Sequence, residues 1–156
     1  MSIRSRSLTI LPILATLSLS TPADDAPAFD RYVSGFDYAA RKEMKLGSRE
    51  LIALMKQGRI QLIDIRFEEE YAAWHLGPSV NIPIDELPTR LDEIDRDRIV
   101  VTACPHKDRA VIAMAYLRSK GIAARYLKDG LLGLLEELRG DEARDLMAAI
   151  SSRNTH

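Results

Sequence analysis

The chain has little of what builds metal sites, disulfide frameworks or nucleic-acid surfaces. Cys104 is its one cysteine, which excludes an intramolecular disulfide and any multi-cysteine zinc site. Its histidines stand at positions 75, 106 and 156, with no ligand-like spacing, so no metal is expected and no residue pattern asks for a cofactor. A formal net charge of -1 supplies no global field for nucleic acid or an anionic membrane. Any attraction for anions has to be local. What is present suffices for one core: 156 residues, 46% of them hydrophobic, is the size and content of a single domain.

The first 23 residues read as a signal peptide rather than as part of the fold. Arg4 and Arg6 make a positive start, Leu8 to Leu19 is an apolar stretch broken by Pro12, and Thr21-Pro22-Ala23 offers small residues for cleavage after Ala23. Cleavage after Ser20 and an uncleaved amphipathic helix are the alternatives. The stretch is too short to cross a bilayer, which takes about 20 apolar residues, so no stable membrane span is expected after cleavage. Removal of residues 1–23 leaves 20 basic against 23 acidic residues. Export, to a periplasm or the medium, sharpens the cysteine argument. A lone cysteine in an exported chain is a reactive thiol or one half of an intermolecular bridge, although a buried cysteine that merely packs is the usual case elsewhere.

Residues 24 to 36 mix Pro, Gly, Asp and Ser and read as a linker or a strap over the domain, which with 37 to 45 forms the N-terminal segment. A short helix is expected over Asp37 to Met44. Another begins at Ser48 as N-cap, buries Leu51, Ile52, Leu54 and Met55, and stops at Gly58. Strands are expected at Ile60 to Ile65, Val80 to Ile82, Ile99 to Ala103 and Ala124 to Leu127. Helical composition returns at Phe67 to Trp74, Asp85 to Ile94 and Arg109 to Lys120, the last with Val111, Ile112, Ala115 and Tyr116 on its apolar side. Two closing helices, Leu131 to Arg139 and Asp141 to Ile150, follow the turn Asp129-Gly130. Strands alternating with helices in this way make an α/β fold, a mainly parallel sheet with helices on both faces. Ligands of such sheets sit beyond the carboxyl ends of the strands, where Asp64, Arg66 and Cys104 fall.

Cys104-Pro105-His106-Lys107-Asp108-Arg109 is C-x4-R between a strand and a helix. Backbone N–H groups turned toward one centre, with a helix N-terminus behind them, form an anion-binding nest. A cysteine in that nest is expected to have its thiolate favoured. Lys107 and Arg109 add positive charge, His106 adds more at lower pH, and Asp108 opposes it slightly or serves as the N-cap of the helix. The same nest would hold an anionic persulfide.

These stretches resemble the rhodanese-like sulfurtransferases, from about Leu46 to Arg139. Asp64-Ile65-Arg66 is similar to that family's D-x-R at the end of an early strand. Glu70-Tyr71-Ala-Ala-Trp74-His75-Leu-Gly-Pro-Ser-Val-Asn81-Ile-Pro83 resembles its E-[YF]-x-x-G-H-I-P-G-A-x-N-I-P segment. Cys104 to Arg109 is similar to its active loop C-x-x-G-x-R, and Leu127-Lys-Asp129-Gly130 to its L-x-G-G turn. The resemblance implies a rhodanese-like three-layer domain over residues 46–150. It also implies a two-step reaction through a covalent intermediate. Cys104 takes the outer sulfur of thiosulfate or a similar small anionic donor as a persulfide, and passes it to cyanide, a thiol or a protein acceptor. Pro105, His106, Lys107, Asp108 and Arg109 would line the donor site, with Asp64, Arg66, His75 and Ala110 in support. Phosphatases and arsenate reductases of related architecture use a loop one residue longer, so C-x4-R points to sulfur.

The chain departs from the family pattern in four places. Lys107 stands where glycine is common, with an expected loss of loop freedom and a gain in attraction for anionic donors. Ala110 removes the hydroxyl of the usual Ser or Thr, Trp74 replaces a glycine, and Gly77-Pro78 inverts the usual order. Arg109 either binds donor oxygens or pairs with a carboxylate such as Glu70. A non-catalytic rhodanese-fold module that binds a partner or carries persulfide sulfur is the alternative function, and a redox sensor that forms an intermolecular disulfide is a third.

Overall fold

A computed structural model describes residues 26–154; the expected signal peptide lies outside them. The elements run α1 (Ala28–Ser34), α2 (Tyr38–Glu43), β1 (Lys45–Leu46), α3 (Ser48–Lys56), β2 (Ile60–Asp64), α4 (Glu68–Ala73) and β3 (Val80–Asn81). Two 3-10 turns follow (Leu87–Thr89 and Leu91–Glu93), then β4 (Ile99–Ala103), α5 (Asp108–Ser119), β5 (Ala124–Leu127), α6 (Gly130–Glu137) and α7 (Asp141–Asn154). The five strands form one parallel sheet in the order β1-β5-β4-β2-β3.

Strand alternation splits the core into two layers. Val100 faces one side with Ile63, Ile65, Ile82 and the α5 residues Ala113 and Met114. Val101 faces the other with Leu62, Leu127 and the buried stripes of α3, α6 and α7. Helices therefore cover both faces of the sheet. β4, at its centre, is the nearly continuous apolar run that such burial demands. The chain leaves β2 outward to β3 and then returns to β4 on the other side of β2. That reversal is a topological switch point, and the carboxyl ends of β2 and β4 flank the crevice it creates.

Several expectations change. The helix expected over Asp85 to Ile94 is two 3-10 turns, because Pro88 has no N–H to give an α-helical turn there. Gly47 is the N-cap of α3, and Ser48 is its first residue, bonded to Asp129 instead. Leu54 is only partly buried. The N-terminal segment expected as linker or strap contains α1, which packs on α5, while α2 is the short helix expected over Asp37 to Met44. β1 lies at its end as a fifth strand, with Lys45 opposite Tyr126 and Leu46 opposite Leu127. The buried face of α5 is Ala110, Ala113, Met114 and Leu117, whereas Ile112 is 62% exposed. Two alanines let α5 approach the sheet closely while Met114 and Leu117 fill the space beside them.

Candidate functional site

Cys104 follows β4 directly, and its loop ends where α5 begins. The loop is held from below by α6. The Leu131 N–H donates to the Cys104 carbonyl at 2.8 Å and the Leu132 N–H to the Pro105 carbonyl at 3.2 Å. Gly130 makes that approach possible. Its φ is +67°, and a methyl group there would collide with the carbonyl oxygens of Pro105 and His106. Thr102, a buried hydroxyl in the apolar strand, donates to the Ala110 carbonyl at 2.8 Å and ties the first turn of α5 to β4.

The cysteine itself is fully buried and unpaired. Its thiol donates to Asp108 Oδ1 at 3.6 Å, a contact within sulfur's longer hydrogen-bonding range. Burial pushes the thiol pKa up, against hydrogen bonds from the backbone N–H groups of Ala110, His106 and Arg109, while the Asp108 charge pushes it up further. The expected lowered thiol pKa is therefore corrected: the nest is present, but desolvation outweighs it in the resting protein. Asp108 is the first residue of α5, after the N-cap Lys107. The Arg109 N–H, foremost, holds its carboxyl below the usual range.

Arg109 is paired, not free. Its Nη1 and Nη2 donate to Glu70 Oε2 and Oε1 at 2.6 and 2.8 Å, and its guanidinium lies 5.8 Å from the Phe67 ring. The hydrogen bonds from Arg109 bring the Glu70 carboxyl down to about 2. Of the two roles open to Arg109, the resting structure shows the pair with Glu70, so its charge is largely cancelled at the sulfur. The Glu70 carbonyl accepts from Arg66 Nη1 at 3.3 Å, which links the loop to the end of β2. There Asp64 and Arg66 form a buried ion pair, with Arg66 Nη2 2.6 Å from Asp64 Oδ2 and 2.7 Å from the Trp74 carbonyl. The Asn81 amide bonds the carbonyls of both Asp64 and Arg66.

Trp74, where the family pattern has glycine, lays its ring 4.0 Å from the Arg66 guanidinium. His75 is exposed, stacked on Tyr71 at 4.1 Å, and bonded to the Tyr71 carbonyl. Its bonding is to α4 and not to the loop. His106 and Lys107 are exposed, Pro105 is half-buried, and Ala110 is buried. Lys107 has φ -156°, so the position does not use the left-handed freedom of a glycine and no strain results. Reading the sequence missed Thr102 and the steric need for Gly130. A lone hydroxyl in an apolar strand and a glycine opening a helix were the available signals.

The rhodanese-like domain model matches residues 48–137, more than half of the chain. The chain belongs to the rhodanese-like domain family. It is 33% identical over 78 residues to the thiosulfate sulfurtransferase GlpE of Pseudomonas fluorescens, a match covering 50% of this chain and 71% of that protein. It is 34% identical over 105 residues to an HTH-type transcriptional regulator of Mycobacterium tuberculosis, covering 66% of this chain and 46% of the regulator. The chain thus spans about half the length of that relative. A human single-domain sulfurtransferase matches with a TM-score of 0.53 at 28% identity, over 60% of this chain and 96% of that one. A rhodanese-related protein of Thermoplasma volcanium matches with a TM-score of 0.55 at 25% identity, over 60% and 91%. Sulfurtransferases among the relatives support a rhodanese-type transferase in general. Cys104 and its loop lie within the residues that the family model matches.

Proposed function

We propose that the protein transfers sulfane sulfur through a persulfide on Cys104. The observation that carries the reading is the convergence of the Ala110, His106 and Arg109 N–H groups on a single unpaired thiol at the carboxyl end of β4. In the first step the Cys104 thiolate attacks the outer sulfur of thiosulfate or a similar donor; the donor's S–S bond breaks and sulfite, or the reduced donor, leaves with the electron pair. In the second, cyanide or a thiol attacks the outer sulfur of the persulfide and the thiolate is restored. The nest, which desolvation overrides in the resting thiol, is suited to the larger and more diffuse charge of a persulfide. Cyanide-dependent turnover with thiosulfate, compared with Cys104→Ser, tests the cycle. Turnover in the wild type and none in the variant is expected; equal background in both contradicts it.

One observation favours a second reading, a persulfide-carrying module that serves a protein partner: the thiol is fully buried and held protonated at rest. A stable persulfide without turnover to cyanide or small thiols would select it. We also propose that residues 1–23 direct export and are removed. An N-terminal sequence starting at Asp24 in the exported fraction supports this, and an intact N-terminus in the cytoplasmic fraction contradicts it.

A further inference from the structure

We propose that Asp108 sets the charge of what Cys104 reacts with, disfavouring dianionic donors such as thiosulfate and favouring neutral or cationic ones, the persulfides of small thiols. This rests on the sulfur-transfer reading above and names the donor class for the same thiol. Cys104 has no exposed surface, yet its Sγ is in hydrogen-bond contact with Asp108 Oδ1 at 3.6 Å, and Asp108 is exposed. A reagent that reaches Sγ has to come within a few ångströms of that carboxylate. Arg109, the nearest cation, is shared with both oxygens of Glu70, and Lys107 is exposed. The charged group in hydrogen-bond contact with the sulfur is negative.

With a small-thiol persulfide, R–S–SH, no second negative charge comes up to the carboxylate. The Cys104 thiol loses its proton to solvent, and the thiolate attacks the terminal sulfur. The S–S bond of the donor breaks, and the departing thiolate takes a proton from solvent. The products are Cys104–S–SH and R–SH, with nothing further consumed. With thiosulfate the same steps bring a dianion in, and send sulfite out, beside a carboxylate.

Alkylation of Cys104 by iodoacetate and iodoacetamide reads the charge effect whether or not the protein transfers sulfur. One unit charge about 5 Å away through water-like screening is worth about fourfold in rate. Asp108→Asn, which keeps the shape of the side chain and removes its charge, should raise the iodoacetate-to-iodoacetamide rate ratio at least about fourfold, and Asp108→Glu should leave it near wild type. Persulfide formation should follow: Asp108→Asn gains with thiosulfate relative to cysteamine persulfide. An unchanged alkylation ratio in Asp108→Asn overturns the proposal. So does a Cys104 that stays inert to both reagents in Asp108→Asn and Asp108→Ala, since Asp108 would then not guard the sulfur. Failure of the sulfur-transfer reading has a different signature, an altered alkylation ratio with no persulfide from either donor.

Discussion

Burial raises the Cys104 thiol pKa while three backbone N–H groups oppose that rise; in the proposed cycle those groups face the charge that develops on sulfur. Its alkylation rate should rise with pH to an inflection above that of a free cysteine thiol, because burial raises it. An inflection near or below that of a free thiol, about 8.5, would contradict the assignment. Glu70 shifts the other way. Its carboxyl falls from 4.5 to about 2 through the Arg109 pair, so the stability it contributes is complete above 4.5 and is lost as pH falls toward 2. Thermal melts from pH 5 to pH 2 should show this loss in the wild type and a shallower one in Glu70→Gln. At neutral pH, Glu70→Gln should cost at most about 1 kcal/mol, as for a partly exposed pair. The identities of Cys104, Asp64 and Arg66 were legible from the motifs. The direction of the thiol shift was not, because burial and the committed partner of Arg109 are tertiary facts.

Among the elements, β4 was readable to its ends, since an apolar run covered on both faces is one of the plainest sequence signals. The packing face of α5 was only partly legible: Val111, Ala115 and Tyr116 pack against the core as expected, but its fully buried residues are Ala110, Ala113, Met114 and Leu117, and Ile112 is exposed. The start of α6 carries more weight than its turn motif suggests. Gly130→Ala should destabilise the protein by more than about 1 kcal/mol, the penalty for a left-handed non-glycine residue. It should also displace the Cys104 loop and remove activity. Wild-type melting temperature and activity in that variant would refute the role assigned to Gly130. At the end of β2, Asp64→Asn leaves the buried Arg66 charge without its partner. Denaturant unfolding should show a loss of about 3–5 kcal/mol, and a loss below about 1 kcal/mol would mean that the pair is dispensable.

At the scale of the molecule, a five-stranded parallel sheet places the reversal of strand order between β2 and β4, with the thiol loop at its carboxyl edge. The alternation of strands and helices made this α/β architecture legible. The edge strand β1 was not, since two residues carry no periodicity, nor was the docking of α1, whose described residues are all at least partly exposed. The central claim is that sulfur travels on Cys104, and the intact mass of the protein after incubation with a sulfane donor tests it most directly. Thiosulfate and cysteamine persulfide are the donors to use. The account predicts a gain of one sulfur atom on the wild type, reversed by cyanide or a thiol, and no gain on Cys104→Ser. An unchanged wild-type mass with both donors, or the same gain on both proteins, would contradict it.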